Sequence, residues 1–175
     1  MNIVQPSYPM FKNEAPRSLT DITDLIIHHS AGSLFQTPQD IDAEHRARGM
    51  SGIGYNYIIN PSGVVFYGRP ANVIPAAAYG RNQQSLNICV IGNFHPSDAG
   101  YTGKPTPSQI NALTELSVYL HHKYPSIIRT IGHRQVATLF HKDNPGDYST
   151  ACPGDDLFWL IPEVNAKVSK ALATL

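Results

Sequence analysis

The run Asp24-Leu25-Ile26-Ile27-His28-His29-Ser30-Ala31-Gly32 decides the fold. Its apolar, β-prone centre is short, opens on a polar residue and gives way to the small turn formers Ser30, Ala31 and Gly32. Residues 24 to 28 therefore read as a buried strand. That strand ends on histidines, so the first secondary element carries side chains with chemistry at its tip.

Working outward, Thr37 followed by Pro38 and Asp40 has the chemistry of an N-cap with proline in the first turn. It predicts a helix to about Arg48, stopped at Gly49. Tyr55 to Ile59 and Val64 to Arg69 are β-rich runs joined by Asn60, Pro61, Ser62 and Gly63, the composition of a hairpin turn. A Pro- and Ala-rich loop and Asn82, Gln83 and Gln84 precede another apolar strand from about Leu86 to Ile91, and residues 94 to 105 form a polar loop. Thr106, Pro107 and Gln109 supply an N-cap, a first-position proline and a capping-box partner, opening a helix to about Lys123. Ile127 to Ile131 is a last strand, and Asp155 to about Leu172 is helical, divided at Pro162. Interspersed strands and helices with one hairpin predict an α/β fold, a mixed central β-sheet flanked by helices.

At 175 residues and 42% hydrophobic composition, the chain is long enough for one well-formed core and too short for two ordinary domains with a linker. The expected organisation is a single domain over 1–175. It comprises an N-terminal extension over 1–20, a core over about 22–160 and a C-terminal helical segment over 155–172. Thirteen basic and 13 acidic residues give zero formal net charge without any block of one sign, which argues against a nucleic-acid or membrane partner held by charge. No apolar stretch approaches the roughly 20 residues that span a bilayer. The first 19 residues contain no apolar run of signal-peptide length, so synthesis in the cytoplasm without a signal peptide is expected. Cys89 and Cys152 are too few for a disulfide-built scaffold and are expected to stay unpaired. A monomer is expected.

Three candidate metal ligands stand at strand ends or in loops: His28 or His29 after the first strand, His133 after the last, and Cys152 in a loop rich in Gly, Asp and Pro. Two imidazoles and one thiolate suit Zn²⁺, and three protein ligands leave a fourth position for water. Zinc lowers the pKa of such a water to about 7 and polarises a carbonyl, chemistry suited to hydrolysis of an unreactive bond. The spacing by itself follows no short zinc motif. A buried thiol can equally be an apolar filler, and His121 and His122 at a helix end have the carbonyls there to satisfy.

Six ordered strings add to this reading: Ile26-Ile27-His28-His29-Ser30-Ala31-Gly32, Gly54-Tyr55-Asn56-Tyr57, Ile91-Gly92-Asn93-Phe94, Pro105-Thr106-Pro107, Ile131-Gly132-His133-Arg134 and Thr150-Ala151-Cys152-Pro153-Gly154. Together they resemble the zinc amidases that include phage lysozyme-type N-acetylmuramoyl-L-alanine amidases and peptidoglycan recognition proteins, over roughly residues 22 to 160. The resemblance implies that His28, His133 and Cys152 hold zinc and that His29 is a supporting neighbour. It implies that the Tyr55 phenol acts near the reacting water or the developing oxyanion, and that Thr150 donates a hydrogen bond to that oxyanion. It also implies bacterial peptidoglycan, glycan strand plus peptide stem, as substrate. Arg69, Tyr79, Arg81 and Asn82 are candidates for lining a groove for it.

Two departures from the family pattern stand out. Cys89 occupies a strand position where some relatives carry a carboxylate, and Ala76-Ala77-Ala78 replaces an Ala-His-Ala string, removing a histidine beside the cleft. The expected function is hydrolysis of the amide between N-acetylmuramic acid and L-alanine, in the setting of a phage or prophage endolysin that acts on the wall after release. The competing readings are a non-catalytic peptidoglycan-binding module and a cytoplasmic wall-recycling amidase. Cys152 favours catalysis, because non-catalytic relatives commonly lack that cysteine.

Overall fold

The computed structural model describes residues 1–9, 11 and 14–174. Strand β1 (Asp24–His29) is buried along its whole length because it has a parallel neighbour on each side, β4 (Ser85–Val90) and β5 (Arg129–Gly132). Outside β4 lies β2 (Tyr57–Ile59), also parallel, and β3 (Val65–Tyr67) closes the hairpin antiparallel to β2. The order is β3-β2-β4-β1-β5, a mixed five-stranded sheet in a single α/β domain, as the sequence predicts.

Parallel strands need cover on both faces, and the two-residue alternation of β1 and β4 divides the chain accordingly. Leu25, Ile27, Leu86, Ile88 and Val90 face helices α2 (Pro107–Lys123) and α5 (Ile161–Leu172), whose Leu113, Leu116, Leu120, Val164 and Val168 complete the main core. The other face carries Ile26, His28, Asn87 and Cys89. There Ile41 of helix α1 (Pro38–Ala47) packs with Ile53, Ile58, Cys89 and Ile91, and Val136 of helix α3 (Gln135–Phe140) packs with Ile26, Ala78 and Ile131.

Both expected N-caps are present with both halves of the capping box. The Thr37 hydroxyl accepts from Asp40 N while the Asp40 carboxylate accepts from Thr37 N, and Thr106 and Gln109 exchange the same pair of bonds. Thr106 does more, donating its hydroxyl to Pro61 O at 2.7 Å and so tying α2 to the hairpin turn.

Several boundaries move for identifiable reasons. β2 begins at Tyr57 rather than Tyr55, leaving Tyr55 in the segment leading to the strand. β5 begins at Arg129 because Ile127 N is bonded to Tyr124 O in a turn, while the Ile128 side chain is 70% exposed. Pro162 sits in the first turn of α5, where its missing N–H has no intrahelical acceptor to serve, and the division falls between a short α4 (Asp155–Phe158) and α5. α3 was not expected; it is six residues long and has no side-chain cap to announce it. The N-terminal segment is bound to the sheet. Val4 exchanges backbone bonds with Val65 and Tyr67, covering the outer edge of β3, and the Arg17 guanidinium donates to the carbonyls of Ala71, Asn82, Gln83 and Ser85. Both cysteines are free. Among the described residues no helix is long and apolar enough to cross a membrane.

Thr106→Ala removes an N-cap acceptor and the bond to Pro61 together. Urea denaturation should show a stability loss of about 1–2 kcal/mol with an unchanged denaturant slope.

Candidate active site

Parallel pairing carries the C-terminal ends of β1, β4 and β5 to one edge of the sheet, and the candidate site is built there. His28 is the fifth residue of β1, and His133 directly follows β5, its N–H donating to Ile27 O at 3.1 Å. The two imidazole rings lie 4.5 Å apart. The Cys152 loop is stitched to the same edge by Arg134, whose backbone N–H donates to Cys152 O at 2.8 Å while its guanidinium holds Ala151 O and Asp155. Cys152 Sγ comes to 3.6 Å from His28 Nδ1. The ligand atoms of His28, His133 and Cys152 all lie within 4.8 Å of one another. Strand alternation decides between the paired histidines: His29 points to the opposite face, where its Nδ1 accepts from Phe94 N at 3.2 Å.

The donor set suits a soft divalent ion. His28 Nε2 is 2.8 Å from Asn87 Oδ1. An amide oxygen only accepts, so that nitrogen carries the proton and the Nδ1 lone pair faces Cys152. Burial, with His133 alongside, holds the His28 imidazole well below its ordinary range, and burial brings His133 down to about 4, so both rings are neutral at neutral pH. Burial pushes the Cys152 thiol up to about 12. Two neutral imidazoles and a buried, protonated thiol offer a nitrogen–nitrogen–sulfur set that zinc would suit, since a divalent cation there would supply the charge that favours the Cys152 thiolate over its thiol.

Tyr55 is held beside this group by α1. Asp42 accepts from Ile53 N at 2.7 Å and His45 Nδ1 accepts from Gly54 N at 2.9 Å, so two buried side chains of one helix shape the backbone just before the tyrosine. The Tyr55 ring lies 5.2 Å from both His28 and His45. Burial, with Cys89 and Cys152 nearby, pushes its phenol well above the ordinary range, so it stays protonated and can donate. Cys89 lies beneath it, fully buried and out of contact with solvent.

These groups floor an open cleft of ≈ 440 Å³, whose lining also includes Glu44 of α1, Arg48 at the end of that helix, Ala77 and Thr150. The Thr150 hydroxyl accepts from Cys152 N at 3.1 Å, bracing the cysteine loop, and its own proton remains available to the cleft.

Three comparisons bear on this geometry. The family model described as N-acetylmuramoyl-L-alanine amidase matches residues 18–155. Peptidoglycan-recognition protein SC2 of Drosophila melanogaster is 32% identical over 159 residues, covering 81% of this chain and 77% of that protein. The endolysin of Enterobacteria phage T3 is 31% identical over 146 residues, covering 81% of this chain and 85% of that one. The chain belongs to the N-acetylmuramoyl-L-alanine amidase family. As a member it is an enzyme of that class, and its fold agrees: N-acetylmuramoyl-L-alanine amidase LysC from Clostridium intestinale superposes with a TM-score of 0.76 at 32% identity, over 97% of this chain and 98% of that one.

Within the amidase frame, the groove candidates separate. Arg69 is buried and donates to the carbonyls of Ile53, Ile74 and Gly52 and to Ser51 Oγ, bracing the segment before Tyr55 from behind. Arg81 is bound to Asp24 at the far end of β1. Asn82 Oδ1 accepts from Ala77 N and Ala78 N and shapes the loop where the histidine is missing. Tyr79 is exposed. Sequence reasoning missed Asn87, Asp42 and His45, and the cleft pair Glu44 and Arg48. The last had a usable signal, since spacing of four on a predicted helix puts both on one face, and Asn87 is a polar residue inside an apolar strand run.

The strand-to-tyrosine segment leaves no space at Gly68. A Cβ there would lie 2.2 Å from Tyr55 O. Gly68→Ala should destabilise the fold by about 1–3 kcal/mol in chemical denaturation and displace the Tyr55 backbone, visible as shifted Tyr55 and Asn56 amide resonances.

Proposed function

We propose that this amidase-family chain is a zinc-dependent hydrolase that cleaves the amide between N-acetylmuramic acid and L-alanine in bacterial peptidoglycan. The observation that carries the reading is the convergence of His28 Nδ1, His133 and Cys152 Sγ on the floor of an open cleft, with the Tyr55 phenol beside them. Zinc held there would supply a water of lowered pKa and a Lewis acid for the amide carbonyl.

The chain's own groups then have distinct tasks. Asn87 holds the His28 tautomer so that Nδ1 stays a ligand. Tyr55 donates to the oxygen on which negative charge develops, from a phenol that burial keeps protonated. Thr150 donates its free hydroxyl proton to the same oxygen while still accepting from Cys152 N. The C–N bond breaks, water supplies the new carboxyl, and the alanine nitrogen leaves as an amine after gaining a proton. Cys89 is sealed under Tyr55 with its thiol in hydrogen-bonding reach of the phenol, and it presents no group of its own to the cleft. Arg48, with a planar fork of donors at the cleft wall, suits a carboxylate of the peptide stem. The single catalytic domain acts as a monomer in the manner of an endolysin, a setting supported by 31% identity with the phage T3 endolysin over most of both chains.

The deciding assay is release of L-alanine amino termini from purified peptidoglycan, with a chelator and with zinc restored. Release that stops on chelation and returns with zinc is expected. Wall binding without release under any metal condition would instead favour a recognition module. Cys152→Ser should lose bound zinc and turnover together, by metal analysis and the same assay; full zinc-dependent turnover in that variant would sink the ligand assignment. Tyr55→Phe should keep its zinc and lower kcat by about 10²-fold, and an unchanged kcat would return Tyr55 to a packing role.

A further inference from the structure

Beside the cleft stand three stacked rings that the catalytic reading does not use. The Tyr148 ring, at the end of the 3-10 turn Pro145–Tyr148, lies 3.5 Å from the His141 ring with planes 5° apart, and 5.4 Å from the Tyr79 ring with planes 14° apart. Two stretches distant in sequence, one with Tyr79 and one with His141 and Tyr148, therefore meet in one parallel array. The array is built around Gly80. Its carbonyl lies 3.3 Å from His141 Nε2, its φ is +78°, and a Cβ there would lie 2.4 Å from His141 Nε2 and 2.5 Å from Tyr148 Cε1. Only a residue without a side chain lets the rings close up at this point.

Its location ties the array to the cleft. Tyr79 is two residues beyond Ala77 and Tyr148 two residues before Thr150, and Ala77 and Thr150 both line the cleft wall. Tyr79 is 73% exposed, whereas Tyr148 and His141 are half-buried behind it. A flat aromatic surface is thus held in place from behind and presented to solvent next to the catalytic floor. The flanking residues Lys142, Asp143, Asn144 and Asp147 are exposed and polar. The surface is one ring across, far smaller than the several hundred Å² of contiguous apolar area that marks a protein-docking patch. A ring-sized apolar face with a hydrophilic surround matches a pyranose, which has one face rich in C–H bonds and a rim of hydroxyls, and aromatic side chains combine an apolar body with a defined stacking geometry.

We propose that the Tyr79–Tyr148–His141 stack is a saccharide-stacking subsite that holds the glycan strand of the wall polymer against the Tyr79 ring while the stem amide enters the cleft. The inference rests on the amidase reading. The subsite adds affinity for extended glycan next to the position where Ala77 offers no polar side chain. It makes the enzyme prefer strands over single-sugar fragments.

The test compares two substrates of the full-length, zinc-loaded chain: uncrosslinked glycan strands bearing peptide stems, and an N-acetylmuramoyl tripeptide. Tyr79→Ala should raise the ratio of KM for strands to KM for the tripeptide about tenfold, a change of about 1.4 kcal/mol. Tyr79→Phe and Tyr79→Trp, which keep a ring, should leave the ratio near that of the parent. Peptide-free glycan strands titrated into the parent chain should bind and perturb the resonances of Tyr79 and Tyr148, and Tyr79→Ala should lose that binding. An unchanged KM ratio in Tyr79→Ala, or equal strand binding by the parent and the variant, overturns the subsite and leaves the amidase reading intact. Absence of cleavage of either substrate overturns the amidase reading, and strand titration then still tests the stack: no binding by the parent overturns it.

Discussion

The parallel pairing of β1 between β4 and β5 is the constraint on which the rest of this structure depends. It buries all six residues of β1, and it sets the register in which His28 lies level with Cys89 while Ile27 lies level with Gly132. With that register, the residue after β5 is His133 at the tip of the central strand. A slip of one residue would exchange the two faces of β1, sending His29 to the cleft side and His28 into the core against α2. The candidate ligand set is thus a consequence of strand register before it is a consequence of any loop.

The opposite end of β1 carries its own lock. Asp24 is fully buried and bound by Arg81 at 2.7 Å and Arg129 at 2.6 Å, so the first residue of the central strand is tied to the loop before β4 and to the first residue of β5. Buried ion pairs contribute little net stability against an apolar alternative, because desolvation offsets the Coulomb gain. Their value here is geometric: a carboxylate with two guanidinium partners has one satisfactory placement, and it is the one that aligns β1 with both neighbours.

On the cleft face, polar groups run in sequence from the sheet interior to the site. Asn87 N donates to Asn56 Oδ1, Asn87 Nδ2 donates to Ser85 Oγ, and Asn87 Oδ1 receives His28 Nε2. Every partner is buried, so the His28 ring is oriented by a satisfied network rather than by solvent. Tyr55 is set in the same way, by Asp42 and His45 from α1 and by the Arg69 guanidinium from behind, which places its precision in elements that pack against the sheet. The cysteine loop alone joins the site through less buried groups, Arg134 and Asp155.

Much of this was legible in the sequence. Helix starts at Thr37 and Thr106, the hairpin turn at Asn60 to Gly63 and the buried run at 24–28 are local: capping, turn chemistry and side-chain periodicity act within a few residues and leave their mark there. Residue type and position marked His28 or His29, His133 and Cys152 as candidate ligands. Six ordered motifs narrowed these to the candidate trio and added Tyr55, because spacing alone says nothing of His28 and Cys152 meeting across most of the chain. The motifs already pointed to His28 over His29, and the register of β1 gives the physical reason. Tertiary structure alone decided that Arg69 is a brace inside the fold and that Tyr79, His141 and Tyr148 form one stack. Those outcomes depend on strand register and on contacts between distant segments, and no local rule reports which face a residue will share with a partner far away in sequence.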